Sequence, residues 1–455
     1  MTARSAPPTA PLPDAAAPPR HAGPRPAACD VVVVGGGVMG VMAAWHMADR
    51  GLRVALCEKG RIAGEQSSRN WGWIRQQGRD PAELPIMTES LRIWQRLAQD
   101  LGGRLGFRQT GVLYLARTPA EMAGFEAWMD HARAQGLDTQ LQSEGQLVRR
   151  LTGMAAPWVG GLYTASDARA EPWIAVPLLA EAAAARGVAI REGCAVRALD
   201  LAGGRVAGVV TEAGRIACDQ VVVAGGAWSS LFLRAHGVDI PQLSVLASVA
   251  QTEPMPEIFP GAAADGAFAF RRREDGGYTL APGSAHDVFP GPDAFRHLRA
   301  YGAVLRKDWR STRLRLRAPR GYPDAWGTPR RWDADRPGPF EAVRVLDPAP
   351  NLRALGRARD AFARAFPGLG RPRLRAAWAG MIDTMPDVVA VIDRAASVPG
   401  LVVATGLSGH GFGIGPGMGR VVADLVAGRA AGHDLTRFRL SRFADGTPIA
   451  PGPGL

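Results

Sequence analysis

Lysine is scarce in this chain. Of 54 basic side chains among 455 residues, only Lys59 and Lys307 are lysines, so the formal net charge of +12 rests on arginine. A charge of this sign can attract nucleic acids, anionic lipids or acidic substrates. The arginines are scattered and no RNA or DNA motif accompanies them. Composition bias from a GC-rich genome is therefore the favoured explanation, and no nucleic-acid partner is predicted.

Cysteine is also rare, with Cys29, Cys57, Cys194 and Cys218 and no C-x-x-C pair among them. This pattern excludes a disulfide framework and a cysteine metal site, and no metal is predicted. Buried free thiols in a reducing compartment fit it better. The sequence therefore predicts a cytoplasmic protein.

Long apolar runs are missing as well. Residues 31–45 resemble a signal-peptide core, but they contain four glycines, and Asp49-Arg50 follows instead of a small-residue cleavage site. No other stretch is long enough to span a bilayer, so no transmembrane segment is predicted, and only peripheral membrane contact stays open. Residues 1–28 are rich in Pro and Ala, which predicts a disordered leader.

Patterns typical of buried strands recur along the chain. Four valines at 31–34 are typical of a parallel strand buried on both faces. A glycine-rich turn, a helical pattern and a second strand at 53–58 complete a βαβ unit. Apolar strands of the same kind recur at 220–224 and 401–404. Between them, residues 241–375 are rich in proline and short helices, which predicts a second, mostly antiparallel domain.

The first glycine turn contains the pattern Gly35-x-Gly37-x-x-Gly40, with Val38 and Met39 opening the helix. The first glycine permits the tight turn, the second lets the backbone approach a pyrophosphate, and the third lets the helix pack on the strand. Free N–H groups at a helix start favour phosphate. Glu58 ends the next strand, near the ~20-residue spacing expected of a ribose-binding carboxylate. The motif therefore predicts a bound dinucleotide.

The turn alone does not choose between FAD and NAD. Lys59 and a polar loop follow the second strand, and the loop contains Gly64 and the run Ser67-Ser68-Arg69-Asn70. Consecutive hydroxyls suit an extended dinucleotide whose phosphates and ribityl chain need many donors, although an exposed loop is the alternative. An NAD(P)-linked dehydrogenase would need a second nucleotide turn, which the sequence lacks. FAD is therefore the predicted cofactor.

Two more glycine-rich elements follow buried strands. Small residues at a strand end let the backbone approach a cofactor, and a helix start can stabilise negative charge on a reduced flavin ring. His410 either orients its loop or takes part in catalysis. The cofactor-binding residues predicted here are Ala224, Gly225, Trp228, Gly406, Gly409, His410, Gly411, Phe412 and Gly413.

Together these elements resemble the glycine oxidase, sarcosine oxidase and D-amino-acid dehydrogenase (DAO) group of FAD enzymes, over about residues 30–427. The resemblance implies an α/β fold: an FAD-binding Rossmann-like domain of the glutathione-reductase type with an inserted substrate domain of antiparallel sheet and helices. It implies that hydride passes from the carbon beside an uncharged amine to flavin N5, and that the imine hydrolyses. Val196 matches the family position whose backbone meets the adenine.

The resemblance also divides the chain into segments. It implies a discontinuous FAD-binding domain, a substrate domain in two parts, and a C-terminal tail. The FAD-binding domain would consist of residues 29–80, 160–235 and 376–430. The substrate domain would consist of residues 81–159 and 236–375, and the tail of residues 431–455.

Two departures from the family pattern concern the site. Members that oxidise simple amino acids often carry a carboxylate-clamping arginine after a Trp-x-Gly element, but here Trp378-Ala379-Gly380-Met381 precedes Ile382-Asp383. Arg75, in the loop that runs over the flavin in sarcosine-oxidase-like members, is the predicted replacement. A solvated arginine beside core tryptophans is the alternative. Asp383 is predicted near the substrate amine. No cysteine stands where sarcosine oxidases tether the flavin, which predicts non-covalent FAD.

The predicted substrate is an amino acid or a secondary amine, and the electron acceptor is O2 or a quinone-type carrier. Related chains occur as partners in heteromeric dehydrogenases. An FAD subunit of a heteromeric amine or opine dehydrogenase is therefore an alternative. Two less favoured alternatives are an NAD(P)-linked dehydrogenase and a flavin-carrying RNA-modifying protein, the latter suggested only by the charge.

Overall fold

The computed structural model describes residues 12–13, 16–284, 286–308 and 312–452. Its helices are α1 (Val38–Asp49), α2 (Gln66–Arg69), α3 (Leu84–Asp100), α4 (Pro119–Ala134), α5 (Glu144–Arg150), α6 (Pro172–Ala185), α7 (Ser229–Ala235), α8 (Pro292–Arg296), α9 (Gly302–Asp308), α10 (Pro339–Ala342), α11 (Leu352–Ala365) and α12 (Gly411–Val426). Its strands are β1 (Val31–Val34), β2 (Val54–Cys57), β3 (Trp73–Ile74), β4 (Arg108–Gln109), β5 (Val112–Ala116), β6 (Thr139–Ser143), β7 (Gly160–Thr164), β8 (Ala168–Arg169), β9 (Ala189–Arg191), β10 (Val196–Ala202), β11 (Arg205–Thr211), β12 (Gly214–Ala217), β13 (Gln220–Val223), β14 (Leu243–Thr252), β15 (Ala262–Ala264), β16 (Phe268–Arg272), β17 (Tyr278–Pro282), β18 (His286–Val288), β19 (Thr312–Leu314), β20 (Leu374–Thr384), β21 (Val391–Arg394) and β22 (Leu401–Thr405).

The predicted nucleotide-type sheet is present. It has six strands in the order β21-β22-β13-β1-β2-β9, and every neighbouring pair is parallel except β21 with β22. The first three valines of β1 are completely buried, Val31 and Val33 among residues of α1, α6 and α12, and Val32, on the other face, among residues of β10 and β11. Helix α1 packs against α12 and α6, and α12 also packs against α3. The α/β fold class expected from the sequence is confirmed.

A larger sheet forms the second layer. Its path is β19-β18-β14-β17-β16-β15-β5-β7-β6, with β20 paired along β14. Most pairs are antiparallel, as expected, but β15 with β5 and β18 with β19 are parallel. Helix α11 packs on this sheet with a face of Ala354, Leu355, Ala358 and Phe362. The expectation of only short helices between residues 241 and 375 was wrong, because α11 has 14 residues.

Two strands lie on the other side of the predicted domain boundaries. Strands β7 and β20 fall within the segments 160–235 and 376–430 that the resemblance assigned to FAD binding, yet both pair into the larger sheet. The pairing of β20 with β14 runs from Leu243↔Thr384 to Thr252↔Leu374. Both strands therefore belong to the larger sheet and not to the six-stranded one.

Both ends of the described chain pack against the body. The backbone N–H of Arg20 donates to Glu192 at 2.6 Å, and Ala28 forms a bridge to Ala217. The predicted disorder is therefore wrong for residues 16–28, whereas residues 1–11 and 14–15 lie outside the described residues. In the predicted tail, Phe438 is fully buried and Arg442 pairs with buried Asp387 at 2.8 Å.

The four cysteines are free and buried, as predicted. Among the described residues, no helix combines the length and apolar character needed to cross a bilayer.

Candidate active site

The carboxyl ends of the parallel strands meet at one elongated cavity. Parallel strands of an open α/β sheet leave a crevice at this edge, where such folds bind ligands. The glycine turn after β1, Glu58 after β2, and the small residues after β13 all line it, together with Thr405 at the end of β22. Residues from distant parts of the chain are therefore gathered at a single nucleotide-type site.

The three glycines of the turn have separate structural roles. A Cβ on Gly35 would overlap the Ala224 carbonyl oxygen, and φ of Gly35 is +110°, which side chains rarely adopt. A Cβ on Gly40 would overlap the carbonyl oxygen of Gly35. A Cβ on Gly37 would meet only Ser67 Oγ, at 3.1 Å. The space above Gly37 is therefore open to a phosphate, whereas Gly35 and Gly40 allow close packing, as the motif predicted.

Glu58 lies at the rim of the cavity, in the position that the spacing predicted. Its carboxylate accepts from the backbone N–H groups of Gly36 and Gly60, both at 2.7 Å. Burial raises its pKa, although nearby Lys59 and these two N–H groups oppose the shift. A ribose hydroxyl could share the same oxygens.

Lys59 also lines the cavity, but its ammonium is engaged within the protein. Its ammonium donates to Glu65 and to the carbonyl oxygens of Val343 and Arg344, and it lies 4.3 Å from the Trp228 ring centroid. All three N–H donors of the Lys59 ammonium are used by these partners, so none is left for a phosphate.

The side chains of the serine loop, residues 67–70, have different roles. Ser67 Oγ accepts from the backbone N–H of Val38 at 2.9 Å and lines the cavity. The hydroxyl of buried Ser68 instead donates to the Glu65 carbonyl oxygen. The buried Arg69 guanidinium pairs with Asp347 at 2.5 Å and donates to the carbonyl oxygens of Gly64 and Ala379. The Ser68 and Arg69 side chains therefore hold the loop, while Arg69 also lines the second cavity described below.

The other predicted cofactor residues fall into two groups. Those that line the elongated cavity are Val38, Met39, Gly64, Val196, Ala224, Gly225 and Trp228. Those that line a second, adjoining cavity are Asn70, Gly409, His410, Gly411 and Phe412. Gly406 and Gly413 line neither. A Cβ on Gly413 would lie 3.1 Å from the Ile74 Cα, so this glycine lets α12 pack on β3.

The second cavity has a volume of about 290 Å³ and lies directly beside the first. Both share Val38, Gln66, Ser67, Asp383 and Leu407 as lining residues. Its other walls carry Trp71, Trp73, Arg75, Arg79, Ala247, Val249, Ile382 and the residues 408–412. A cavity with guanidinium groups next to a dinucleotide site is a candidate for the substrate. We call it the site cavity.

Arg75 faces the site cavity, where the sequence placed it. One terminal nitrogen donates to the Gln77 carbonyl oxygen, and the guanidinium carbon lies 5.7 Å from the Tyr114 ring centroid. Its other N–H groups have no hydrogen-bond partner among the described residues. The loop is fixed by buried Asp167, which accepts from the Gln76 backbone N–H at 2.7 Å. Burial raises the pKa of Asp167 to about 7.

A buried charge network supports the far wall. Glu83 Oε2 lies 3.1 Å from His410 Nδ1 and 3.4 Å from one terminal nitrogen of Arg79. The other terminal nitrogen of Arg79 donates to the His410 carbonyl oxygen. Burial, reinforced by the charge of Arg79, lowers the pKa of His410 to about 4. A neutral imidazole that donates from Nδ1 to Glu83 keeps Nε2 as an acceptor. The network therefore sets the tautomer of His410.

The carboxyl group of Asp383 is hydrogen-bonded to the loop after β22, and its place near a substrate amine stays a prediction. It lines both cavities, but its Oδ2 accepts from the backbone N–H groups of Gly406 at 2.8 Å and Leu407 at 3.3 Å. Gly406, Ser408 and Gly409 all have positive φ, so this loop needs such support. Burial raises the pKa of Asp383 to about 6 despite these hydrogen bonds. Its carboxyl group therefore holds the loop after β22.

Sequence reasoning missed several residues. Phe340 and Val345, from the segment expected to be substrate domain, line the nucleotide cavity. Gln242 donates to the Gly226 carbonyl oxygen and to Thr405, and so ties two strand ends together. No local pattern indicated these three. Glu83 did leave a signal, since it stands four residues after Arg79, the spacing of an ion pair on one helical turn.

Fold and cavities together define a dinucleotide-binding protein with a second ligand site beside the nucleotide. The family model described as DAO, FAD dependent oxidoreductase, matches residues 30–425, and the chain belongs to that family. It is thus an FAD-dependent oxidoreductase, and the open cradle above Gly37 with Glu58 at its rim fits FAD.

Individual relatives agree with this assignment. The sarcosine oxidase subunit beta of Rhizobium meliloti (strain 1021) is 26% identical over 426 residues, covering 92% of this chain and 89% of that protein. Human mitochondrial sarcosine dehydrogenase is 29% identical over 238 residues, which is 50% of this chain but only 26% of that protein. Among solved structures, L-amino acid deaminase from Proteus myxofaciens in complex with anthranilate has a TM-score of 0.87 at 29% identity and covers 92% of this chain and 95% of that chain.

Proposed function

We propose that this enzyme oxidises the C–N bond of an amino acid or a substituted amine. The observation that carries the proposal is the site cavity, which shares walls with the nucleotide cavity and presents the unpaired N–H groups of Arg75. The names of the relatives, which include a sarcosine oxidase subunit and an L-amino acid deaminase, support an amine substrate. FAD, when bound, supplies the hydride acceptor, and the imine product is hydrolysed by water.

Arg75 is the proposed carboxylate anchor. A planar guanidinium with free N–H groups can bind a carboxylate through two parallel hydrogen bonds. Asp167 fixes the backbone of its loop, so the anchor is held in place before substrate arrives. Such an anchor would orient the substrate carbon towards the nucleotide cavity.

His410 is proposed to accept a hydrogen bond from the uncharged amine, whose extra proton leaves to water, because a group with a pKa of about 4 is too weak a base to remove it. The reaction needs the amine uncharged, whereas a free amine is largely protonated at neutral pH. Neutral His410 lines the site cavity, and because Glu83 binds Nδ1, its Nε2 is the ring nitrogen left to accept. Asp383 contributes indirectly, because it holds the loop that carries His410.

The proposal also covers how FAD is held, what reoxidises it, where the enzyme works and whether it has a partner. FAD is held non-covalently by residues 29–80, by the segment from about 165 to 235, and by the segment from about 385 to 430. O2 or a quinone-type carrier reoxidises it. Four buried free thiols support work in a reducing compartment, the cytoplasm. Likeness to a sarcosine oxidase subunit beta supports a heteromeric assembly as a second candidate, which co-purification of a partner from the native host would test.

An anaerobic screen tests the reaction directly. The flavoprotein is mixed with amino acids, N-alkylated amino acids and polyamines without oxygen, and the visible flavin bands are followed. Bleaching by at least one amine, with a carbonyl product after hydrolysis, is expected. An enzyme whose flavin no amine bleaches would refute the proposal.

Arg75→Lys tests the anchor. The substitution keeps the charge but loses the planar fork. We expect about a tenfold higher concentration of carboxylate substrate for half-maximal flavin reduction, since losing one charged hydrogen bond costs roughly 1.5 kcal/mol or more. Arg149→Lys, at an exposed position on α5, is the matched control. Unchanged reduction kinetics in Arg75→Lys would return Arg75 to the role of a solvated arginine.

A further inference from the structure

A third cavity adjoins the site cavity on the side away from the nucleotide. Its volume is about 580 Å³, which is within the roughly 300–1,000 Å³ typical of small-molecule sites. It shares Trp71, Ala247, Ile382 and Ser408 with the site cavity. Voids in packed cores are much smaller than this. We call it the apolar chamber.

The floor of the chamber continues the floor of the site cavity. Side chains alternate along a strand, so Leu243, Val245, Ala247 and Val249 of β14 share one face. Ala247 and Val249 line the site cavity, and Leu243, Val245 and Ala247 line the chamber. Leu246, on the other face, is buried in the protein core. One strand face therefore leads from the candidate active site into the chamber.

The cover of the chamber is also apolar. Phe295 of α8, Leu298 and Tyr301 of the turn that follows, and Leu305 of α9 all line it. The Tyr301 hydroxyl is bound to the carbonyl oxygens of Pro241 and Thr384, so it offers little polarity to the chamber. None of the described lining residues is Asp, Glu, Lys or Arg. The site cavity, by contrast, contains Arg75.

The outer rim of the chamber consists of exposed apolar side chains. Phe295 is 62% exposed, Leu298 55% and Leu314 69%. An empty apolar chamber behind such a rim leaves a large hydrophobic surface against water, which is unfavourable. An apolar ligand group would remove that surface from water.

We propose that the chamber receives an extended apolar substituent of the substrate, whose carboxylate and amine lie in the site cavity. From Ala247 to Leu243 the strand advances about 13 Å, at roughly 3.3 Å per residue. A linear hydrocarbon of about ten carbons spans that distance, given C–C bonds of about 1.5 Å. The substrate class is thus an amphiphilic amino acid with a long chain on its α-carbon or its nitrogen. This inference rests on the proposed function for the placement of the head group.

Binding of linear carboxylates to the holoenzyme tests the chamber without any oxidation. Butanoate to dodecanoate, each below its micelle concentration, are titrated by calorimetry. The dissociation constant is expected to fall about two- to fourfold per added methylene until the chamber is filled. A dissociation constant that does not change with chain length would overturn the inference.

Two substrate series then locate the chain. Linear 2-aminoalkanoic acids carry it on the α-carbon, and N-alkylglycines carry it on the nitrogen. The series whose concentration for half-maximal flavin reduction falls with chain length identifies the attachment point. If carboxylates bind with chain-length dependence but no amine bleaches the flavin, the proposed function fails while the chamber stands. If short amines bleach it and longer chains bring no gain in either assay, the chamber fails alone.

Variants localise the effect. Val245→Phe fills part of the chamber and is expected to weaken decanoate binding about tenfold while leaving butanoate within about twofold. Val148→Phe, the same change at a position 56% exposed on α5, should leave both unchanged. Leu298→Gln, at the half-exposed rim, is a second variant that should weaken long chains only. Equal effects of Val245→Phe on both ligands in a fully flavin-loaded protein would overturn the assignment.

Discussion

Replacing Gly37 by alanine should separate cofactor binding from folding. The backbone at Gly37 has φ −75° and ψ 175°, which alanine adopts readily. The new methyl group would meet only Ser67 Oγ, at 3.1 Å, within the protein. It would, however, point into the space through which a pyrophosphate approaches the turn. The folded apoprotein should therefore tolerate a change that the bound cofactor does not.

The two effects differ in size. Gly37 is the N-cap of α1, and alanine in place of glycine at such a position costs about 1 kcal/mol or less. Pushing the phosphate away from one N–H group loses a charged hydrogen bond worth about 1.5–3 kcal/mol. The dissociation constant for FAD should therefore rise roughly 10- to 150-fold, while the unfolding free energy of the apoprotein changes little.

Both quantities can be measured on the same protein. Apoprotein is titrated with FAD by flavin fluorescence, and its unfolding in urea is followed by circular dichroism. Ala48→Gly, at a partly exposed site on α1, is the matched control, since it also costs about 1 kcal/mol of stability but should bind FAD normally. If folded Gly37→Ala apoprotein binds FAD as tightly as the unchanged protein, the phosphate does not approach this turn.

Further predictions concern the flavin and the buried charges. Acid precipitation should release all flavin into the supernatant, and flavin left in the pellet would disprove non-covalent binding. Burial raises the pKa of Asp383 from its ordinary 3.8 to about 6, so its contribution to stability is complete below pH 4 and is lost as pH rises through 6. The difference in unfolding free energy between the wild type and Asp383→Asn, measured by urea titration, should accordingly fall by about 3 kcal/mol from pH 4 to pH 7. A difference that does not change with pH would contradict this. Glu83→Gln leaves Arg79 buried without its counter-ion and should cost about 3–5 kcal/mol in the same assay, whereas Arg79→Met combined with Glu83→Gln should recover part of that loss.

Much of the nucleotide half could be predicted because its signals are local. Four consecutive valines indicate a strand buried on both faces, and the spacing of Gly35, Gly37 and Gly40 requires a strand before and a helix after. Helix α3 also has a local signal, because Leu91, Trp94 and Leu97 form one apolar stripe along it.

The substrate half could not be predicted in the same way. Strand β20 is rich in alanine and has Gly380 in its middle, residues with little strand preference, and it is held by ten paired residues of β14 more than 120 positions away. The hydrogen bonds of Asp383 to the backbone N–H groups of Gly406 and Leu407 could not be predicted either, because they depend on how the end of β20 meets the loop after β22. Helix α11 was missed although Asn351 caps it, because its buried face consists largely of alanine.

The order of strands in the central sheet has a consequence for the synthesis of the protein. Strand β1 leaves the ribosome first, but the sheet that carries the nucleotide cavity also needs β13 and β22, and β22 ends at Thr405, roughly 370 residues after β1. At about 5–20 residues per second, the glycine turn waits on the order of 20–80 s for its last partner. FAD therefore cannot act as an early template for folding. The unpaired edges of β1 must also be kept from aggregating until β22 has been synthesised.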